Sequence, residues 1–133
     1  MANSYDSYMI EVAVAIIKDA DERFLITRRA LNIPHGGLWE VPGGKIEPQE
    51  TPHEALLREV YEEVGLRVEK ATCIGQVQHA YPEKNVCLHV FQVHQYTGEA
   101  ACHDGQLDLR WVSEAALNTF DFPEANLAVM QLI

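Results

Sequence analysis

Glu59, Glu62 and Glu63 recur at three- and four-residue steps within REVYEEVG, so on a helix they project as one group of carboxylates. Like charges so placed repel one another. A hard divalent cation such as Mg²⁺, which takes oxygen ligands, would relieve that repulsion. The other reading of the same residues is a solvated charged face that holds no ion. Arg58 stands four residues before Glu62 and is its basic partner at helical spacing, placed to orient the carboxylates. Ahead of the helix, Gly43 and Gly44 carry no Cβ, so the main chain there can approach a metal or phosphate closely. The Gly43 carbonyl is a candidate ligand, and a tight turn that simply needs glycine is the alternative. Asp104, followed by Gly105, is either a further carboxylate from across the sheet or a turn-forming residue.

These groups need a helix at a defined place, and its start and stop signals agree. Thr51 suits the N-cap, Pro52 the first helical position, and Glu54 completes a capping box. Gly65 can take the left-handed conformation that ends the helix. Leu56, Val60 and Val64 form the apolar stripe that would seat it on a core.

The remaining elements are read from alternation and breakers. Residues 8–17 are apolar on both alternating sets, as in a central strand covered on both faces. A polar turn at 18–22 leads to a strand at 23–29, suggesting a hairpin. Short strands are expected at 38–41 and 107–112, and longer ones at 72–79 and 86–96. Ser113 caps a short helix, and a last helix runs over 124–132 with Leu127, Val129, Met130 and Leu132 available for packing. Strands around two main helices predict an α/β (α+β) sandwich with a mixed sheet, and 133 residues suit one domain over 1–133.

Bulk properties narrow the partners. A net charge of −10 argues against a nucleic acid polymer, which calls for a basic face. Nucleotides remain compatible with it if metal ions supply local positive charge. The longest apolar run, 12–17, is too short to cross a membrane, and MANSYDSYM lacks a signal-peptide layout. The three cysteines contain no C-x-x-C and read as reduced, mostly buried thiols, so a cytoplasmic location is expected, with a monomer favoured over a dimer. The six histidines show no ligand spacing and read as surface or strand residues.

Taken together, Gly44, Glu50 and the run from Arg58 through Glu59, Val60, Glu62, Glu63 and Gly65 to Leu66 resemble the Nudix box at every specified position. The resemblance extends to ITRRA (26–30), EVPGGKIE (40–47), DGQ (104–106) and DFPEAN (121–126), and narrows to MutT-type 8-oxo-dGTP diphosphatases. It implies an αβα sandwich and hydrolysis of a nucleoside triphosphate to the monophosphate and pyrophosphate. It also implies Mg²⁺, with Mn²⁺ as a substitute, held by Glu59, Glu62, Glu63, the Gly43 carbonyl and Asp104. Glu59 is the first choice to accept the water's proton, with Asp104 or Glu50 as alternatives. Arg29, the edge formed by Glu40, Val41, Pro42 and Gly43, the Tyr81–Glu83 turn and Asn126 would bind substrate. The chain departs from the family pattern at Val41, where an aromatic is usual, and at Asp104, where a glutamate is. It departs again at Tyr81-Pro82-Glu83, in place of Phe-Pro-Asp.

Asn126 carries a chemical argument of its own. Guanine shows two acceptors, N7 and O6, on one edge. Oxidation at C8 places a proton on N7, so that the edge becomes donor and acceptor. An asparagine amide, itself acceptor and donor, complements that edge and mismatches normal guanine. The other reading is a polar residue in the first turn of the last helix. Rival substrates in the same class are CTP, dCTP and ADP-ribose, and a rival function is nucleotide sensing without cleavage.

Overall fold

The structure, a computed structural model, describes residues 9–133; residues 1–8, including the expected start of the first strand at Tyr8, lie outside the described residues. Strand β1 (Met9–Ile16) is central in a four-stranded mixed sheet of order β4-β1-β6-β5, with β4 at Gly43–Lys45, β5 at Arg67–Ala80 and β6 at Asn85–Thr97. β1 runs parallel to β6 and antiparallel to β4. A second, antiparallel sheet has the order β3-β2-β7, formed by β2 (Phe24–Arg28), β3 (Trp39–Glu40) and β7 (Asp108–Val112).

The double-sided apolar character of β1 now has its reason. Val14 and Ile16 pack into one core with Ile26, Leu88, Val90, Leu117 and Val129. Ala13, Ala15 and Ile17 face the opposite core, with Leu56, Val60, Val64 and Phe91. One helix lies on each side, which makes the expected αβα sandwich. Helix α1 (Pro52–Val64) covers the second core through the predicted stripe. Its capping box is complete: Glu54 N–H donates to Thr51 Oγ1, and Thr51 N–H to Glu54 Oε1. Gly65, at φ 77°, ends it. Helix α2 (Glu124–Met130) and a 3-10 turn (Glu114–Thr119) capped by Ser113 close the first core.

Several expectations are corrected. The expected β1–β2 hairpin is confined to its turn: Asp19 gathers the Asp21 and Arg23 amides, Asp19 N–H donates to Arg23 O and Leu25 N–H to Ile17 O around a Lys18–Phe24 bridge, and β2 then leaves for the second sheet. α2 buries Ala125 and Val129, whereas Leu127 and Leu132 are exposed, because a seven-residue helix presents only one narrow face to the core. Among the thiols only Cys87 is buried; Cys73 and Cys102 are exposed, and all three are free.

Candidate active site

β4 is an edge strand, and that placement builds the site. Pro42 O accepts from Ala15 N–H and Ile46 N–H donates to Glu11 O, so by antiparallel alternation the main-chain groups of Gly43 turn outward, away from β1. The outward Gly43 N–H donates to Glu63 Oε1 at 2.8 Å. The absence of a Cβ matters differently at the two positions. A Cβ on Gly43 would lie 2.1 Å from Ala13 O, and one on Gly44 would lie 2.3 Å from the Glu59 carboxylate. The bare Gly44 thus lets the Glu59 carboxylate lie directly against the strand, while Glu63 is held there by the Gly43 main-chain N–H.

Arg58 organises this group more widely than its helical spacing indicates. It forks onto Glu50, with Nε to Oε2 at 2.7 Å and Nη2 to Oε1 at 2.8 Å. Nη1 donates to Glu59 at 2.8 Å and to Glu62 at 3.2 Å, and Nη2 also donates to Lys45 O. Those bonds, with the Glu47 amide, hold the Glu50 carboxyl down at about 2. Glu50 is thereby held as an anion against Arg58.

The cleft between β4 and α1 gathers Glu40, Glu47, Glu59, Glu63 and Asp104. Glu63 is only 8% exposed. Burial, then the charges of Glu40, Glu59 and Asp104, push its carboxyl up to about 8 despite the Gly43 N–H. Burial raises Glu40 as well, against the pull of Arg29. Glu62 is turned the other way: its side chain is 58% exposed, lies toward Arg58, and is not part of the cleft wall. The donor set passes the test for a hard divalent ion. It offers carboxylate oxygens crowded at a cost that a cation would remove, an outward carbonyl, and a glycine surface that any Cβ would fill.

Beside it lies a second cleft of about 190 Å³, with Ile10, Val12, Val14 and Leu88 on its apolar floor and Arg29, Glu40 and Asn126 at its polar edge. Arg29 is pinned by Nη1 on Glu40 Oε2 at 2.8 Å and by Nε on Pro34 O at 2.7 Å. Val41 N–H donates to Asn126 Oδ1 at 3.2 Å. Tyr81 also borders the cleft, and its hydroxyl accepts from Ala125 N–H at 3.0 Å. That bond stands in for a side-chain cap, since Pro123 at the start of α2 provides none.

Of the expected substrate contacts, Arg29, Glu40, Val41, Gly43, Tyr81 and Asn126 line this cleft. Pro42 does not; it is fully buried behind the wall, its carbonyl spent on Ala15. Glu83 does not either, being exposed at the tip of the turn while its neighbour Lys84 faces the cleft. His35, held at φ 59° with its ring 4.9 Å from that of Tyr81, lines it too. Lys84 had no sequence signal, because which residue of a four-residue turn points inward depends on the turn's seating. Lys45 reaches both clefts, whereas Arg28 donates to Gly37 O and borders neither.

An edge-strand glycine pair facing helix carboxylates, beside an apolar cleft with an amide at its rim, defines a domain built for phosphate chemistry on a nucleotide-like ligand. Residues 8–132 match the NUDIX domain. The chain belongs to the Nudix family and is a hydrolase of phosphoanhydride bonds, in a family that generally uses a divalent metal. It is 36% identical to the 8-oxo-dGTP diphosphatase of Escherichia coli K12 over 91% of this chain and 93% of that one. It is also 31% identical to the CTP pyrophosphohydrolase of the same organism, over 92% and 90%. A MutT structure from work on the Aliivibrio salmonicida and Vibrio cholerae proteins superposes with a TM-score of 0.80 at 31% identity, covering 94% of this chain and 97% of that one. Among the described residues no helix is long and apolar enough to cross a membrane.

Proposed function

We propose that this Nudix hydrolase converts 8-oxo-dGTP to 8-oxo-dGMP and pyrophosphate in an Mg²⁺-dependent reaction. The observation that carries the reading is the Val41 N–H bonded to Asn126 Oδ1. Only oxygen can accept there, so the amide cannot flip without setting two donors against each other. Its second oxygen lone pair and its N–H groups are left for a base edge, in a fixed order of acceptor then donor. That order matches N7–H and O6 of 8-oxoguanine and opposes the N7 lone pair of guanine. The diphosphatase relatives support the same substrate.

Glu59, Glu63, the Gly43 carbonyl and Asp104 would hold the metal, joined by Glu62 once its side chain leaves Arg58. When bound, the ion neutralises phosphate charge and makes an attacking water more acidic. Arg58 keeps the Glu59 carboxylate aimed at the cleft, and Glu59 accepts the proton as water attacks the β-phosphorus. Arg29, pinned by Glu40, turns its remaining N–H groups to the nucleotide. Asn126 and the apolar floor position the base.

The CTP pyrophosphohydrolase relative favours a second reading. Cytosine places its N4–H donor beside the N3 acceptor, an order the same pinned amide also satisfies. Measuring pyrophosphate release and kcat/KM for 8-oxo-dGTP, dGTP, CTP and dCTP separates the two. A preference for 8-oxo-dGTP over dGTP of about 10⁴-fold is expected of a site that reads one hydrogen-bond reversal. A ratio near one, or a higher kcat/KM for CTP, would replace the first reading.

A further inference from the structure

Glu11 and Cys87 are register partners across the parallel β1–β6 pair, and His89 stands two residues along β6, opposite Ala13. Alternation puts all three on the face that carries Ala13, Phe91 and Val93, the reverse of the face whose Ile10, Val12 and Leu88 floor the nucleotide cleft. Cys87 and His89 are buried and Glu11 is exposed. His89 Nε2 lies 3.1 Å from Glu11 Oε1 and 3.9 Å from Cys87 Sγ, and the three ligand atoms all fall within 4.8 Å of one another. Gln76 Oε1 borders the same sulfur at 3.9 Å.

We propose that Glu11, Cys87 and His89 form a second metal site, for a borderline-soft divalent ion of the zinc class, separate from the Mg²⁺ cluster. The ligand chemistry separates the two sites. A thiolate and an imidazole suit zinc, whereas the cluster between β4 and α1 offers only oxygen, as Mg²⁺ requires. The spacing also fits. Zn–S near 2.3 Å and Zn–N near 2.0 Å imply sulfur-to-nitrogen edges of about 3.5 Å in a tetrahedron, so small side-chain rotations close the site. Two adjacent hydrogen-bonded strands hold the ligands, and no main-chain movement is needed. On binding, the Cys87 thiol releases its proton to solvent, and the proton between Nε2 and Glu11 moves to Nδ1 or to solvent. Gln76 or a water supplies the fourth position. Such an ion would tie β1 to β6 directly behind the nucleotide floor.

The test uses Cys73→Ser/Cys102→Ser protein, which removes the two exposed thiols, in saturating Mg²⁺ to occupy the oxygen cluster. Added Co²⁺ should produce a thiolate-to-cobalt charge-transfer absorption that saturates at one equivalent and is displaced by Zn²⁺. Adding Cys87→Ser should abolish the absorption. Glu11→Gln, an exposed change that keeps the fold, should weaken Zn²⁺ binding at least tenfold while Mg²⁺-supported hydrolysis is unchanged. No charge-transfer absorption in the double variant overturns the proposal, as does an absorption that survives Cys87→Ser. If Cys87→Ser does not fold, unchanged Zn²⁺ affinity in Glu11→Gln overturns it instead.

Discussion

Val41 and Asn126, 85 residues apart in sequence, meet through one hydrogen bond that decides which way an amide faces the cleft between them and Arg29. A main-chain donor cannot be mutated away or reversed without moving β3 and the turn that follows it, so the orientation of the Asn126 amide is built into the sheet edge. Replacing Asn126 by Ala should lower kcat/KM for 8-oxo-dGTP by on the order of 10²-fold or more and bring it toward that for dGTP. Steady-state kinetics on the two substrates checks this; an unchanged ratio would remove Asn126 from base recognition.

Glu63→Gln separates charge from shape. Glutamine keeps an oxygen for the Gly43 N–H, yet it removes the carboxyl that burial, and then the charges of Glu40, Glu59 and Asp104, push up to about 8. The metal-free variant should be more stable than the wild type at pH 8 by roughly 1 kcal/mol, a few degrees in Tm. Its Mg²⁺-dependent turnover should fall more than about 100-fold, beyond the loss typical of outer-shell partners. Thermal melts with and without Mg²⁺, beside pyrophosphate release, read both effects. A destabilised metal-free variant would contradict the electrostatic account.

The two glycines should fail differently. Gly44→Ala places a methyl where the Glu59 carboxylate lies, at the movable end of a side chain. Activity should drop sharply with the melting temperature nearly unchanged. Gly43→Ala instead drives a methyl into the Ala13 carbonyl, which is fixed main chain. That should cost about 1–3 kcal/mol of stability as well as activity. Chemical denaturation of both variants distinguishes the cases.

Acid should strip one contribution in a known direction. The Glu50 carboxyl is held down at about 2 by Arg58 and the Glu47 amide, against the ordinary 4.5 of an unfolded chain. Its contribution to stability is complete above about 4.5 and is lost as pH falls through about 2. Glu50→Gln should therefore be less stable than wild type at pH 6, with the gap narrowing steadily as pH drops toward 2. Urea unfolding across that range measures it; a gap independent of pH would show that the ion pair with Arg58 is not its source.

The carboxylate half of the candidate site was legible in sequence because one helix carries it. Thr51, Pro52, Glu54 and Gly65 mark where α1 begins and ends, and fixed helical spacing then groups Glu59 with Glu63. The αβα layering was legible too, since a β1 apolar on both faces demands cover on both. What spacing could not convey is direction around the helix relative to its neighbours. Glu62 shares the period but turns to solvent, whereas Glu59 and Glu63 lie against the Gly43–Gly44 stretch of β4. The fork of Arg58 onto Glu50 likewise depends on how the loop before α1 folds back.

Chemistry assembled across strands was not readable at all. β1 pairs in parallel with β6, more than 70 residues on, and that register alone brings Glu11 to Cys87 and His89, which share one face of β6 at a two-residue step but have no local relation to Glu11. The expected β1–β2 hairpin is likewise confined to the turn, because β2 continues into the second sheet between β3 and β7. The sequence by itself determined the helix, its caps, its carboxylates and the family they belong to, all of them local in the chain. Only the tertiary structure decided which carboxylates share the cleft, which way Asn126 faces, and what stands on the reverse of the sheet, because each depends on contacts between segments distant along the chain.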